Sequence, residues 1–130
     1  MIKRILDATA SDFLKMSATD LAQSIRMTEG RTIAAEVICT YEPPTEGVTH
    51  AEIAAAFGAD IIALDHFDPD KPEIRGLPSE IAQKEDILLQ LKKLVGRPIA
   101  VNMAITKQSK GGWLYTRRYT PERLERLVLQ

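Results

Sequence analysis

A chain of 130 residues, 45% hydrophobic and 27% charged, has the profile of one globular domain long enough to bury a real core. Lys and Arg number 17 against 18 Asp and Glu, for a net charge of -1, so the basic excess of a nucleic-acid binder is missing and no nucleic-acid partner is expected. A single cysteine, Cys39, rules out an intramolecular disulfide and fits a reducing, cytoplasmic setting; no stretch nears the roughly 20 apolar residues of a membrane span, and Met1-Ile2-Lys3-Arg4 is not followed by the apolar run of a signal peptide.

Residues 1–29 are predicted helical. Ile2, Ile5 and Leu6 mark a short opening turn. Ser11 is placed to cap a second short helix carrying Phe13, Leu14 and Met16. Ser17 is placed to cap a third, whose stripe is Leu21, Ile25 and Met27, with Gly30 as its stop.

Three later segments share one design. They are Gly30 to Ile38, Gly58 to Asp65 and Gly96 to Met103. Each opens on a helix-ending glycine, runs through small and β-branched residues with little alternation, and reaches a polar side chain. Near-continuous apolar runs predict parallel strands covered on both faces. Between them, Thr49-His50-Ala51-Glu52 forms a capping box, and Ile53, Ala56 and Phe57 are the expected buried side of that helix. The next helix runs from about Ser79 or Glu85 to Val95, with Ile87, Leu88, Leu91, Leu94 and Val95 as its apolar face. Thr120-Pro121-Glu122 opens a last one. The expected fold class is therefore α/β: a single domain over 1–130, with N-terminal helices over 1–29 and three parallel β/α units over 30–130. A three-stranded parallel sheet has two open edges, so either more chain or a homo-oligomer is expected to close it.

Long loops follow the strands and tight turns precede them, the arrangement in which α/β proteins place function at strand carboxyl ends. That rule selects Glu36, Asp65 and Asn102 as catalytic candidates. Glu36 and Asn102 lie six residues after their glycines and Asp65 seven, which predicts that strands one and three share a layer while strand two is offset. Glu36 stands in an apolar run, where a buried carboxylate acts as a base or ligand; pairing with a cation or water at the mouth is the alternative. Asp65-His66-Phe67-Asp68 gathers ligand-type side chains, with Asp65 and Asp68 as candidate Mg2+ ligands if the chain turns there; the alternative is a solvated loop with local turn bonds. Arg117 and Arg118, behind Gly111-Gly112, carry forks suited to phosphate or carboxylate. Asp60, at a strand start, reads as structural, and Cys39 as a buried thiol.

Ser24-Ile25-Arg26 through Gly30-Arg31-Thr32, the run from Gly47 to Asp60, and Gly96-Arg97-Pro98-Ile99-Ala100-Val101-Asn102 resemble a family of bacterial TIM-barrel proteins labelled phosphoenolpyruvate phosphonomutase-like, associated with sugar phosphotransferase systems. The resemblance covers nearly the whole chain but only the N-terminal part of that barrel. It implies part of a TIM (β/α)8 barrel and a lyase- or mutase-like metabolic enzyme. The implied substrate is a small phosphorylated or carboxylated metabolite, with magnesium assisting, and Glu36, Asp65 and Asn102 supply part of the site. The loop with a lysine and a cysteine or serine that performs the chemistry in true phosphonomutases is not found. A non-catalytic ligand-binding or regulatory protein, or a fragment stable only as an oligomer, therefore stands beside the enzyme reading.

Overall fold

Helix capping sets the boundaries of the N-terminal region. In the computed structural model, which describes residues 1–102, a 3-10 turn at Ile5–Asp7 precedes α1 (Ala10–Phe13) and α2 (Ala18–Arg26). Ser17 caps α2 as expected: its Oγ accepts from Asp20 N–H at 3.1 Å, and Asp20 Oδ2 accepts from Ser17 N–H at 3.0 Å. The cap of α1 is Thr9, not Ser11. Asp12, three residues on, accepts from Thr9 N–H at 2.8 Å, a reciprocal arrangement for which Ser11 lies too late. Ile5, Ala8 and Phe13 form a small core with Leu21 and Ile25 packed on it, while Met27 is exposed.

Beyond Gly30 the chain alternates strands with helices: β1 (Ala34–Ile38), α3 (His50–Ala56), β2 (Ile61–Asp65), α4 (Ser79–Ala82), α5 (Ile87–Val95) and β3 (Ile99–Val101). The strands form one parallel sheet in the order β1-β2-β3. The register sets Glu36 beside Ala63 and Ala63 beside Ala100. Thr49 and Glu52 make the expected box at α3, with Thr49 Oγ1 accepting from Glu52 N–H at 3.1 Å and Thr49 N–H donating to Glu52 Oε2 at 2.8 Å.

Strand side chains alternate between faces. Ile62 and Leu64, both fully buried, point to the face where Ala51, Ile87, Leu88 and Leu91 pack. The core-facing side of α3 is Ala51, Ala54 and Ala55, not Ile53, Ala56 and Phe57; Phe57 is 90% exposed. Alanines at this spacing let a short helix sit close to the sheet, and a phenylalanine at its end does not fit beneath it.

The opposite face carries Ala34, Glu36, Ile38, Ile61, Ala63, Asp65, Ala100 and Asn102 by alternation. Ala34, Glu36, Ala100 and Asn102 are exposed. Cover on both faces, expected from the apolar runs, is thus present on one face only among the described residues. The small residues in these runs have too little apolar area to demand a second layer. The N-terminal core reaches only the foot of this face, where Ile61 packs against it.

Asp60 holds the strand starts together. It is 8% exposed, and its Oδ2 accepts from Ile33 N–H at 2.8 Å while Ile33 O accepts from Asp60 N–H at 2.9 Å. A buried carboxylate with a backbone donor is satisfied, as the structural reading of Asp60 requires. No helix among the described residues is long and apolar enough to cross a membrane.

Candidate functional site

The carboxyl ends of the strands converge on the open face. Asn102 directly follows β3, and its N–H donates to Leu64 O at 2.8 Å, extending the ladder one step. Because Leu64 pairs with Val101, Asn102 is level with Asp65, and Glu36 sits two residues lower on β1. The expected layering is therefore corrected: Asp65 and Asn102 share a level and Glu36 is the offset member. Counting from the glycines failed because a common level of the sheet, Glu36–Ala63–Ala100, lies six, five and four residues after the respective glycines.

The three side chains nevertheless share one face, and two of them touch. Asn102 Nδ2 donates to Glu36 Oε2 at 2.8 Å, although β1 and β3 are not neighbours. Strands two apart are separated by about 10 Å, so this bond has to cross β2. Glu36 is level with Ala63 and Asn102 with Asp65, so the bond runs diagonally over β2, past the Ala63 methyl and beside Asp65. Glu36 is exposed, not buried as its apolar surroundings predict, and its partner is an amide instead of a cation.

Asp65 is held by the turn beyond it. His66 has φ of 61°, a left-handed conformation costly for a non-glycine residue, and such residues cluster at functional sites. The reversal brings His66 Nδ1 to Asp65 Oδ2 at 2.9 Å, where alternation along a continuing strand would have turned the two side chains apart. The Asp65 and His66 side chains are 29% and 25% exposed. The Tyr41 ring lies beside the imidazole, centroids 6.5 Å apart. Beneath them Cys39, 2% exposed, donates from both N–H and Sγ to Asp65 O, each at 3.1 Å. Cys39 is a clasp between the ends of β1 and β2.

Asp68 Oδ1 accepts from Asp70 N–H at 3.0 Å, a local turn bond. Among the described residues no three His, Cys, Asp or Glu side chains gather as a metal site. Arg117 and Arg118 lie outside the described residues.

The loop over this end is built tightly. Arg75 N–H donates to Cys39 O at 2.8 Å, and its guanidinium pairs with Glu42 at 3.1 Å and Glu73 at 2.7 Å. Gly76, at φ of 85°, lies so close to the start of α3 that a Cβ there would come within 2.6 Å of Val48 O. Loops 40–48 and 66–78 therefore form one fixed rim. The sequence reading missed Ala63 and Tyr41. Ala63 was findable once Glu36 and Asp65 were on one face, since the residue two before Asp65 must lie between; nothing in the sequence singled out Tyr41.

Residues 6–127 match a family described as a domain of unknown function, DUF7916. No curated protein and no solved structure matches the chain.

Proposed function

The chain belongs to the DUF7916 family, and we propose that the open face at its strand carboxyl ends is the site of a lyase- or mutase-like enzyme acting on a small phosphorylated or carboxylated metabolite. In this reading the three β/α units are part of a (β/α)8 barrel, whose chemistry lies at that end. The observation that carries the proposal is the Asn102–Glu36 bond across Ala63, with Asp65 level with Asn102 on the same face. Glu36 and Asn102 touch, and Asp65 stands on the same face among small residues, where no packing need explains the three polar groups.

The roles follow from the geometry. Asn102 fixes one oxygen of Glu36 and so the plane of its carboxyl group. Glu36 is then the base that takes a proton from the carbon next to a substrate carboxylate. Asp65, held by His66, is the second carboxylate, which orients a hydroxyl or receives a proton in turn. Two carboxylates repel an anionic substrate, so the positive charge has to come from elsewhere. Arg117 and Arg118 are the groups assigned to that task, by the fit of guanidinium to phosphate and carboxylate. Magnesium belongs to the same reading, since it prefers carboxylate oxygens and substrate phosphate. Among the described residues Glu36 and Asp65 would be its donors, and they do not make a closed set, so no step is assigned to it.

A ligand-binding or regulatory protein without turnover is the second reading, favoured by the closely packed rim, where Gly76 is wedged against Val48. The test is a melting-temperature screen of phosphorylated and carboxylated metabolites, with and without magnesium, followed by turnover assays on those that stabilise. The enzyme reading expects at least one ligand to stabilise and turn over, with turnover reduced at least 100-fold in Glu36→Gln. Stabilisation without turnover selects the second reading. Ligand binding that is unchanged in both Glu36→Gln and Asp65→Asn removes the site.

A further inference from the structure

Tyr41 stands three residues beyond the end of β1 and is 60% exposed. Among the described residues its hydroxyl makes no hydrogen bond. The backbone that carries the ring is nevertheless fastened on both sides by Arg75, whose N–H donates to Cys39 O at 2.8 Å and whose guanidinium meets Glu42 at 3.1 Å. Tyr41 N–H itself donates to Ile38 O at 3.4 Å. The ring lies beside the imidazole of His66, centroids 6.5 Å apart and planes tilted by 39°, and that imidazole is joined to Asp65 at 2.9 Å. A flat apolar surface is thus held beside the polar groups of the open face, with much of its ordering done before any ligand arrives.

The polar groups indicate what lies against that ring. Glu36 Oε2 is taken by Asn102 and Asp65 Oδ2 by His66, while Glu36 Oε1 and Asp65 Oδ1 accept no hydrogen bond among the described residues. Glu36 and Asp65 stand on neighbouring strands two levels apart, about 8 Å between Cα atoms, so a ligand of a few carbons can meet both. An ionised carboxylate only accepts hydrogen bonds. The ligand therefore brings donors to this end, and its own phosphate or carboxylate lies elsewhere. Glu36 is exposed and Asp65 partly so, and a carboxylate that keeps water needs no counter-charge; hydroxyls, which replace water bond for bond, are enough. A carbon skeleton that turns its hydroxyls to the carboxylates presents C–H groups on its other side, and these pack on an aromatic ring.

We propose that Tyr41 is a specificity-determining residue of the strand-end site: its ring packs on the C–H groups of a ligand whose adjacent hydroxyls donate to Glu36 and Asp65. This role rests on the open face being a ligand site, and it narrows the ligand there to a phosphorylated or carboxylated polyol. Tyr41 takes no part in proton transfer.

The experiment is isothermal titration calorimetry with two pairs of compounds, glycerol phosphate against propyl phosphate and gluconate against hexanoate. The members of each pair share an anionic group and a carbon count and differ in their hydroxyls. The wild type is expected to bind the hydroxylated member of at least one pair about tenfold more tightly than its counterpart. Tyr41→Ala is expected to bind that member about fivefold more weakly, and Tyr41→Phe to bind it as the wild type does. The melting temperature of unliganded Tyr41→Ala is expected to match the wild type, because the ring is exposed. Hydroxylated members that bind no better than their counterparts, with binding still weakened in Glu36→Gln, overturn the proposal and leave the site. A Tyr41→Ala variant that binds like the wild type also overturns it. So does a Tyr41→Phe variant as weak as Tyr41→Ala, which assigns the contact to the hydroxyl instead of the ring. Binding of none of the four compounds overturns the proposal, and binding unchanged in both Glu36→Gln and Asp65→Asn removes the site along with it.

Discussion

Glu36 and Asn102 stand on strands that never pair, and the side chain between them decides whether they meet. At position 63 an alanine leaves the path open; a leucine would fill it. Asp65 and Asn102 at the strand ends were legible, because a polar residue after an apolar run is visible in any sequence; Glu36 is not at an end, since β1 runs two residues past it to Ile38. Their contacts were not legible, because they depend on register, and register depends on how many residues each turn consumes after its glycine. Asp60 is the counterpart at the strand starts, and its structural role was legible from position alone. Its carboxylate satisfies the Ile33 N–H in a place with little water. Asp60→Ala leaves that donor unpaired and is expected to destabilise the fold by about 1–3 kcal/mol. The midpoint of urea unfolding measures this, with the slope unchanged.

The helices differ in how they are fastened. α5 is held by apolar contact through Ile87, Leu88 and Leu91, a stripe read correctly from its spacing, although Leu94 turned out to face the surface. α1 and α2 are short and lean on exposed carboxylates. The Asp12 carboxyl is held well below the usual range, first by its bond from Lys3 and then by those from Thr9. Asp20 is lowered in the same sense by Ser17. A carboxyl with a depressed folded-state pKa lends stability that is complete above its unfolded pKa, near 3.9, and is lost as the pH falls through the folded value. Both groups lie at the surface within reach of solvent screening, so the effect is local. Far-ultraviolet circular dichroism is expected to show N-terminal helix content falling below about pH 4, ahead of global unfolding. Asp12→Asn is expected to lose part of that pH dependence and to begin with less helix at pH 7. The Ser17 cap and the Thr49 box were legible; Thr9 was missed because Ser11, two residues on, offers the same kind of capping hydroxyl.

At the scale of the molecule, three parallel strands separated by helices were legible from glycine-led apolar runs. What lies on each face was not, since small residues such as Ala34, Ala63 and Ala100 satisfy a strand pattern whether or not anything covers them. Among the described residues helices pack on one side of the sheet, the other side presents Glu36, Asp65 and Asn102 among small and apolar residues, and its foot is closed by the N-terminal core. The rim at the carboxyl end has one more effect. Loop 66–78 is long and carries Lys71 and Arg75, which would ordinarily invite cleavage. A protease must draw several residues of backbone into its cleft, and here Ile74 is buried, the Arg75 amide is bound and Gly76 is wedged against Val48. Trypsin acting on the native chain is therefore expected to spare the Arg75–Gly76 bond until the whole domain opens, with mass spectrometry of the early fragments as the measure. The connection that looks weakest on paper becomes a seal, and digestion there would time global unfolding.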